Sequence, residues 1–164
     1  MIAAAKRQLT SNPEIVFVRR YITRAADAGG EAHITVSMSD FTALAGRGGF
    51  ALHWQAHGLH YGIPASIEAD LSVGRTVVAN VSRTVVPAAR QRFRRLVVAH
   101  ITADPAVRAR RLAQRGRETE AEILARLERA GVIAPEGDDV VTIDNGGTLE
   151  NAVVGFLGLL SIPA

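Results

Sequence analysis

The chain has 164 residues, 48% hydrophobic and 21% charged, with a formal net charge of +3, which is the size and balance of one globular domain with a substantial core. Its longest apolar stretches, Leu96 to Ala99 and Val153 to Leu160, fall far short of the roughly 20 residues of a membrane span. The complete lack of cysteine excludes disulfides, zinc–thiolate sites and thiol nucleophiles.

In Met1–Leu9 the positive charges follow the short apolar run, the wrong order for a secretory signal, so a cytoplasmic location is expected. Lys6 is the sole lysine, which makes the basic charge almost entirely arginine. Guanidinium groups grip phosphate bidentately and stay charged, so the bias suits nucleic acid or phosphorylated small molecules. GC-rich coding produces the same bias, and the positions of the arginines must decide.

Met1 to Leu9 reads as the end of a helix, and Thr10 to Pro13 as a break before a strand at Ile15 to Val18. Arg20 to Val36 is turn-rich, and a short helix is predicted to begin at Ser39-Asp40 and run to about Ala45. Phe50 to Gln55 and Leu59 to Tyr61, separated by His57-Gly58, predict a hairpin, with helical character from Pro64 to Val73. Thr76 to Val81 is a valine-rich run of the kind buried on both faces of a parallel sheet. A helix is expected over Pro87 to Arg95, a strand over Leu96 to Thr102, and a helix opened by Pro105 and interrupted at Gly116. Glu118 to Ala130 resumes a helix, Val140 to Ile143 makes a last strand, and Thr148 to Leu160 a closing helix. Strands alternate with helices, which predicts an α/β fold with a mainly parallel sheet.

The densest charge pattern lies between Arg108 and Arg129. Arg115 and Arg117 flank a glycine between two helices, and Arg126 lies about two and a half turns into the second. A hairpin bent at Gly116 would point all three inward as a closing lid, the arrangement that phosphoryl transfer rewards. A solvated helix supported by pairs such as Glu122 and Arg126 accounts for the same spacing. Arg24, in Arg19-Arg20-Tyr21-Ile22-Thr23-Arg24, follows a predicted strand at the sheet edge where ligands of open α/β folds bind. With Tyr61 it is a candidate for an anionic substrate, a solubilising loop being the other reading. The five histidines lack metal-site spacing, and no metal ligand is assigned. No Gly-x-Ser-x-Gly elbow, dinucleotide fingerprint or base-stacking aromatic series occurs, which sets aside hydrolases, dehydrogenases and nucleic-acid partners.

Nearly the whole chain, from Tyr-Ile-Thr-Arg at 21–24 to Val-Val-Thr-Ile-Asp-Asn at 140–145, resembles the guanylate-kinase-like P-loop kinases. Within them, Arg-Tyr-Ile-Thr-Arg, Glu-x-His-Ile, Leu-x-Trp-x-Ala-x-Gly-Leu-x-Tyr-Gly and Asn-x-Ser-Arg look like the ribose 1,5-bisphosphate phosphokinases of phosphonate breakdown. The resemblance implies one three-layer P-loop NTPase domain over 1–164, with an acceptor-binding region at about 20–63 and a lid at about 108–130. It implies ATP-dependent conversion of ribose 1,5-bisphosphate to 5-phosphoribosyl 1-diphosphate, with Mg²⁺. Arg24, Tyr61 and His33 would hold the acceptor phosphate, and Asn80, Ser82 and Arg83 the sugar and phosphate oxygens. Arg115, Arg117 and Arg126 would contact the donor phosphates, and Asp144 and Asn145, with Arg115, the adenine side.

Ser82 stands where guanylate kinases carry the carboxylate that reads guanine, which separates this chain from a nucleoside-monophosphate kinase, the nearest alternative. A second departure is larger. Gly-x-x-x-x-Gly-Lys-Ser/Thr is absent from the 164 residues, so the first strand and the P-loop are expected to be missing upstream. That loss is expected to leave strand edges unpaired, to make the chain unstable or prone to associate into a homo-oligomer, and to leave it with negligible activity. A non-catalytic guanylate-kinase-like binding module is the alternative that this departure favours.

Overall fold

The computed structural model describes residues 1–25, 32–113 and 134–161. They fall into two compact units, one spanning Ile2–Arg94 and the other containing Met1 and the chain from Arg95 onward.

The first unit opens with helix α1 (Ile2–Gln8) and strand β1 (Ile15–Phe17), where the run of apolar β-branched residues predicts them. Strand β6 (Thr76–Val78) pairs with β1 in parallel, in the register Ile15 to Thr76 and Phe17 to Val78. A separate four-stranded sheet has the order β3 (Ile34–Thr35), β2 (Tyr21–Ile22), β5 (Leu59–Pro64), β4 (Phe50–Ala56). Strands β4 and β5 form the expected antiparallel hairpin, closed by His57 and Gly58 with φ of 52° and 73°. Positive φ at both central residues gives the twist that suits a two-residue hairpin turn. Helices α2 (Met38–Gly46), α3 (Ile67–Ser72) and α4 (Val86–Arg92) complete the unit, with a 3₁₀ turn at Arg83–Val85.

The core of this unit sits on one face of the hairpin. Ala51, Trp54, Ile63, Ile67 and Val85 are buried together, and Tyr61, Val77, Ala79 and Val81 pack against them. Burying a side chain of this size contributes roughly 1.5–3 kcal/mol. On the other face Phe41 of α2 stacks on Phe50 at 4.7 Å between ring centroids.

In the second unit β7 (Val98–Thr102) and β8 (Val140–Asp144) pair in parallel through all five residues. Helix α5 (Pro105–Ala113) follows β7, and α6 (Leu149–Leu160) packs on β8. Thr148 caps α6 by accepting from the Asn151 amide at 3.3 Å.

Three expectations need correction. Arg20 to Val36 is not only turns, because β2 and β3 lie in it. Helix α2 is capped by Ser37 rather than started at Ser39, since the Ser37 hydroxyl accepts from the Asp40 amide at 3.0 Å. Finally, β6 is half-buried at all its positions instead of fully enclosed. Among the described residues it has one strand neighbour, which leaves part of it accessible.

Candidate functional site

Strand β2 ends at Ile22, which is buried and lies opposite Tyr61 of β5. Thr23 then fastens the chain to β5 twice. Its amide donates to the His60 carbonyl at 3.1 Å, and its hydroxyl accepts from the His60 amide at 2.9 Å. Arg24 therefore emerges one residue past a fixed point whose partner on β5 is the neighbour of Tyr61. The Tyr-Ile-Thr-Arg motif is thus a strand, a clasp and a cation in succession.

Arg24 and His33 meet. Nη2 of Arg24 lies 3.4 Å from His33 Nδ1, and His33 Nε2 lies 3.4 Å from both the Arg24 carbonyl and Thr35 Oγ1. A neutral ring protonated on Nε2 meets this geometry, with Nε2–H donating to the carbonyl or the hydroxyl and Nδ1 accepting from the guanidinium. Arg19 adds a 2.9 Å bond from Nη2 to the His33 carbonyl, so cationic side chains are gathered about the junction of β2 and β3.

Tyr61 stands across the hairpin from Trp54, and their rings stack at 5.3 Å with planes 8° apart. The Arg20 guanidinium lies over both rings, 5.2 Å from the Tyr61 centroid and 6.0 Å from that of Trp54. The segment that follows β6 reaches the same region, because Ala79 and Val81 pack against the cluster that also receives Tyr61. Asn80, between them, and Arg83 are exposed. Ser82 caps the 3₁₀ turn, its Oγ accepting from the Thr84 hydroxyl at 3.0 Å, which leaves its own proton to donate elsewhere.

A cavity of about 290 Å³ also opens in this unit, bordered by Val16, Arg19, Tyr21, Ile34, Ser66 and Asp70 among others. None of Arg24, His33, Tyr61, Asn80, Ser82 or Arg83 lines it, although Arg19, Tyr21 and Ile34, which do, adjoin them.

In the second unit Asp144 and Asn145 end β8. Asp144 Oδ1 accepts from the Gly146 amide at 2.7 Å, and the Asn145 amide donates to the Thr102 carbonyl at 2.7 Å. Arg111 of α5 donates to the carbonyls of Asn145 and Gly147. The loop is therefore held at three points, as a rigid backing for a flat ligand would be. Arg115, Arg117 and Arg126 lie outside the described residues. Arg20 stands in the Arg-Tyr-Ile-Thr-Arg motif with no role of its own assigned from sequence, and Arg111 was not singled out: each acts on groups distant along the chain.

Phosphate cradling and Mg²⁺ ligation belong to the glycine-rich motif that the 164 residues do not contain, and the described residues include no group of three acidic or imidazole side chains able to hold a metal.

No protein-family profile matches the chain. It is 50% identical over 148 residues to ribose 1,5-bisphosphate phosphokinase of Agrobacterium fabrum, covering 90% of this chain and 81% of that protein. The corresponding enzyme of Acidiphilium cryptum is 52% identical over 160 residues, 98% of this chain and 83% of that protein. A bifunctional ribose 1,5-bisphosphokinase-thymidine phosphorylase of Azorhizobium caulinodans is 46% identical over 160 residues, which are 98% of this chain and 23% of that protein. Among solved structures, guanylate kinase of Anaplasma phagocytophilum matches with a TM-score of 0.71 at 20% identity, over 96% of this chain and 79% of that one, which establishes the guanylate-kinase-like α/β fold. No helix among the described residues is long and apolar enough to cross a membrane. With half the aligned positions identical to an enzyme of which it spans four-fifths, the chain belongs to the ribose 1,5-bisphosphate phosphokinase family.

Proposed function

We propose that this chain serves the transfer of the γ-phosphate of ATP to ribose 1,5-bisphosphate, forming 5-phosphoribosyl 1-diphosphate in phosphonate breakdown. An oxygen of the 1-phosphate attacks Pγ, the bond from Pγ to the β,γ-bridging oxygen breaks, and ADP leaves. Such a reaction asks a protein chiefly to position two phosphorylated molecules and to neutralise the charge between them. Arg24, His33 and Tyr61 hold the acceptor phosphate; Asn80, Ser82 and Arg83 take the remaining sugar and phosphate oxygens. Arg115, Arg117 and Arg126 close over the transferring group, while Asp144 and Asn145, with Arg115, face the adenine.

The observation that supports this most strongly is the identity with the Agrobacterium fabrum enzyme, 50% over 148 residues. The meeting of Arg24 with His33, from segments separated in sequence, agrees with a shared phosphate site. For a polypeptide of these 164 residues alone, without a Gly-Lys-Ser/Thr phosphate grip, we propose acceptor binding without turnover.

Calorimetric titration with ribose 1,5-bisphosphate and, separately, GMP tests the acceptor. Binding of the sugar bisphosphate with little binding of GMP is expected, because Ser82 offers a neutral hydroxyl where guanine recognition needs a carboxylate. Firm binding of GMP alone would replace the proposal with a nucleoside-monophosphate kinase. Formation of 5-phosphoribosyl 1-diphosphate by the 164-residue polypeptide would overturn the second proposal and leave the first standing.

A further inference from the structure

Strand β2 stops at Ile22 although its neighbour β5 extends further, to Leu59, and the side chain of Thr23 accounts for the stop. Tyr21 lies opposite Gly62 and Ile22 opposite Tyr61, so Thr23 comes next, opposite His60. In an antiparallel ladder a hydrogen-bonded pair exchanges two bonds, each amide donating to the other residue's carbonyl. The Thr23 amide does donate to the His60 carbonyl, at 3.1 Å. The His60 amide, however, donates to Thr23 Oγ1, at 2.9 Å. The hydroxyl has taken the place of its own residue's carbonyl, so the main chain leaves the sheet after Thr23 with the His60 amide still satisfied. A valine has nearly the same shape and no acceptor. With valine the His60 amide would lose its partner, or the chain would straighten to return the carbonyl of residue 23 to the ladder and would carry residue 24 along a different path.

We propose that Thr23 is a positioning residue for acceptor binding. Its hydroxyl sets the point at which the chain departs from β2, and so the place of residue 24 relative to Tyr61, which follows His60 on β5. Arg24 keeps its contact with His33 in this arrangement; what Thr23 decides is the main-chain path that carries it. This rests on the acceptor reading given under Proposed function.

Calorimetric titration of the 164-residue protein with ribose 1,5-bisphosphate, beside urea unfolding of each variant, tests the role. Thr23→Val should raise Kd about tenfold or more, and Thr23→Ser, which keeps the acceptor, should stay within about threefold of wild type. In an Arg24→Ala background Thr23→Val should add less than about twofold, because the group that it places is already gone, whereas independent losses would multiply. A purely structural role predicts a different pattern, a lower urea midpoint with the Kd of the folded protein unchanged. If wild type binds and Thr23→Val stays within about twofold, or its loss multiplies with that of Arg24→Ala, the inference fails and the acceptor reading survives. The same holds if Thr23→Ser binds as weakly as Thr23→Val. If wild type does not bind ribose 1,5-bisphosphate, the acceptor reading fails and this inference with it. Should Thr23→Val lose its far-UV circular dichroism, Thr23→Cys decides, since a thiol is a weak acceptor: a folded variant with Kd raised about threefold or more upholds the proposal, and wild-type Kd overturns it.

Discussion

At Gly62 the hairpin has no room for a side chain. A Cβ there would come within 2.5 Å of two carbons of the Phe50 ring, which is itself wedged between Phe41 and Tyr21. Gly62→Ala should cost about 1–3 kcal/mol, seen as a lower urea midpoint at unchanged slope; an unchanged midpoint would mean that the Phe50 ring swings aside freely. The glycine of Tyr-Gly is thus a packing residue, which the motif alone does not show. Arg24 is proposed to serve the acceptor rather than the core. In a protein equipped with a phosphate-gripping loop, Arg24→Ala should weaken ribose 1,5-bisphosphate binding about tenfold or more, with a much smaller effect on ATP, and parallel titrations with the two ligands check this. Equal losses on both would mean that the cleft has been assigned to the wrong side.

Elements were legible in sequence wherever their pattern was long enough to have a period. The hairpin, β7, β8 and α6 fall within a few residues of expectation, because alternating or continuous apolar runs and Thr148 mark them. Strands β2 and β3 were not legible. At two residues each they have no period, and they exist because β5 supplies β2 with a partner and β2 in turn supplies β3 with one. The start of α2 was misjudged for a related reason: Ser37 and Ser39 are both acceptable caps, and the choice is made by the three-residue step from Ser37 to the Asp40 amide. Ser37→Ala should therefore cost about 1 kcal/mol and Ser39→Ala much less, a difference that denaturant titration of the two variants resolves. The site divides along the same line. Arg24, His33 and Tyr61 were given roles through motifs, whereas the contacts of Arg20 and Arg111 were not legible, because an aromatic stack and two loop carbonyls are products of the fold.

At the scale of the molecule, the arginines proposed to form a lid are the ones on which the distinction between binding and turnover would rest. In a protein equipped with a phosphate-gripping loop, Arg117→Ala and Arg126→Ala should each lower kcat by about a hundredfold or more while changing acceptor binding little, as befits groups that act on charge in the transition state. Single-turnover kinetics beside acceptor titration check this, and an unchanged kcat would return both residues to the role of a solvated helix. The two parallel strand pairs have a consequence of their own. Among the described residues β1 with β6, and β7 with β8, make two-stranded ribbons, so each ribbon presents a margin of backbone donors and acceptors that invites a further strand. A second copy is the nearest source of one. The apparent molar mass of the 164-residue protein from light scattering should rise with concentration, and Val141→Lys, at a 38% exposed position on β8, should suppress the rise by setting a charge where an incoming strand would dock.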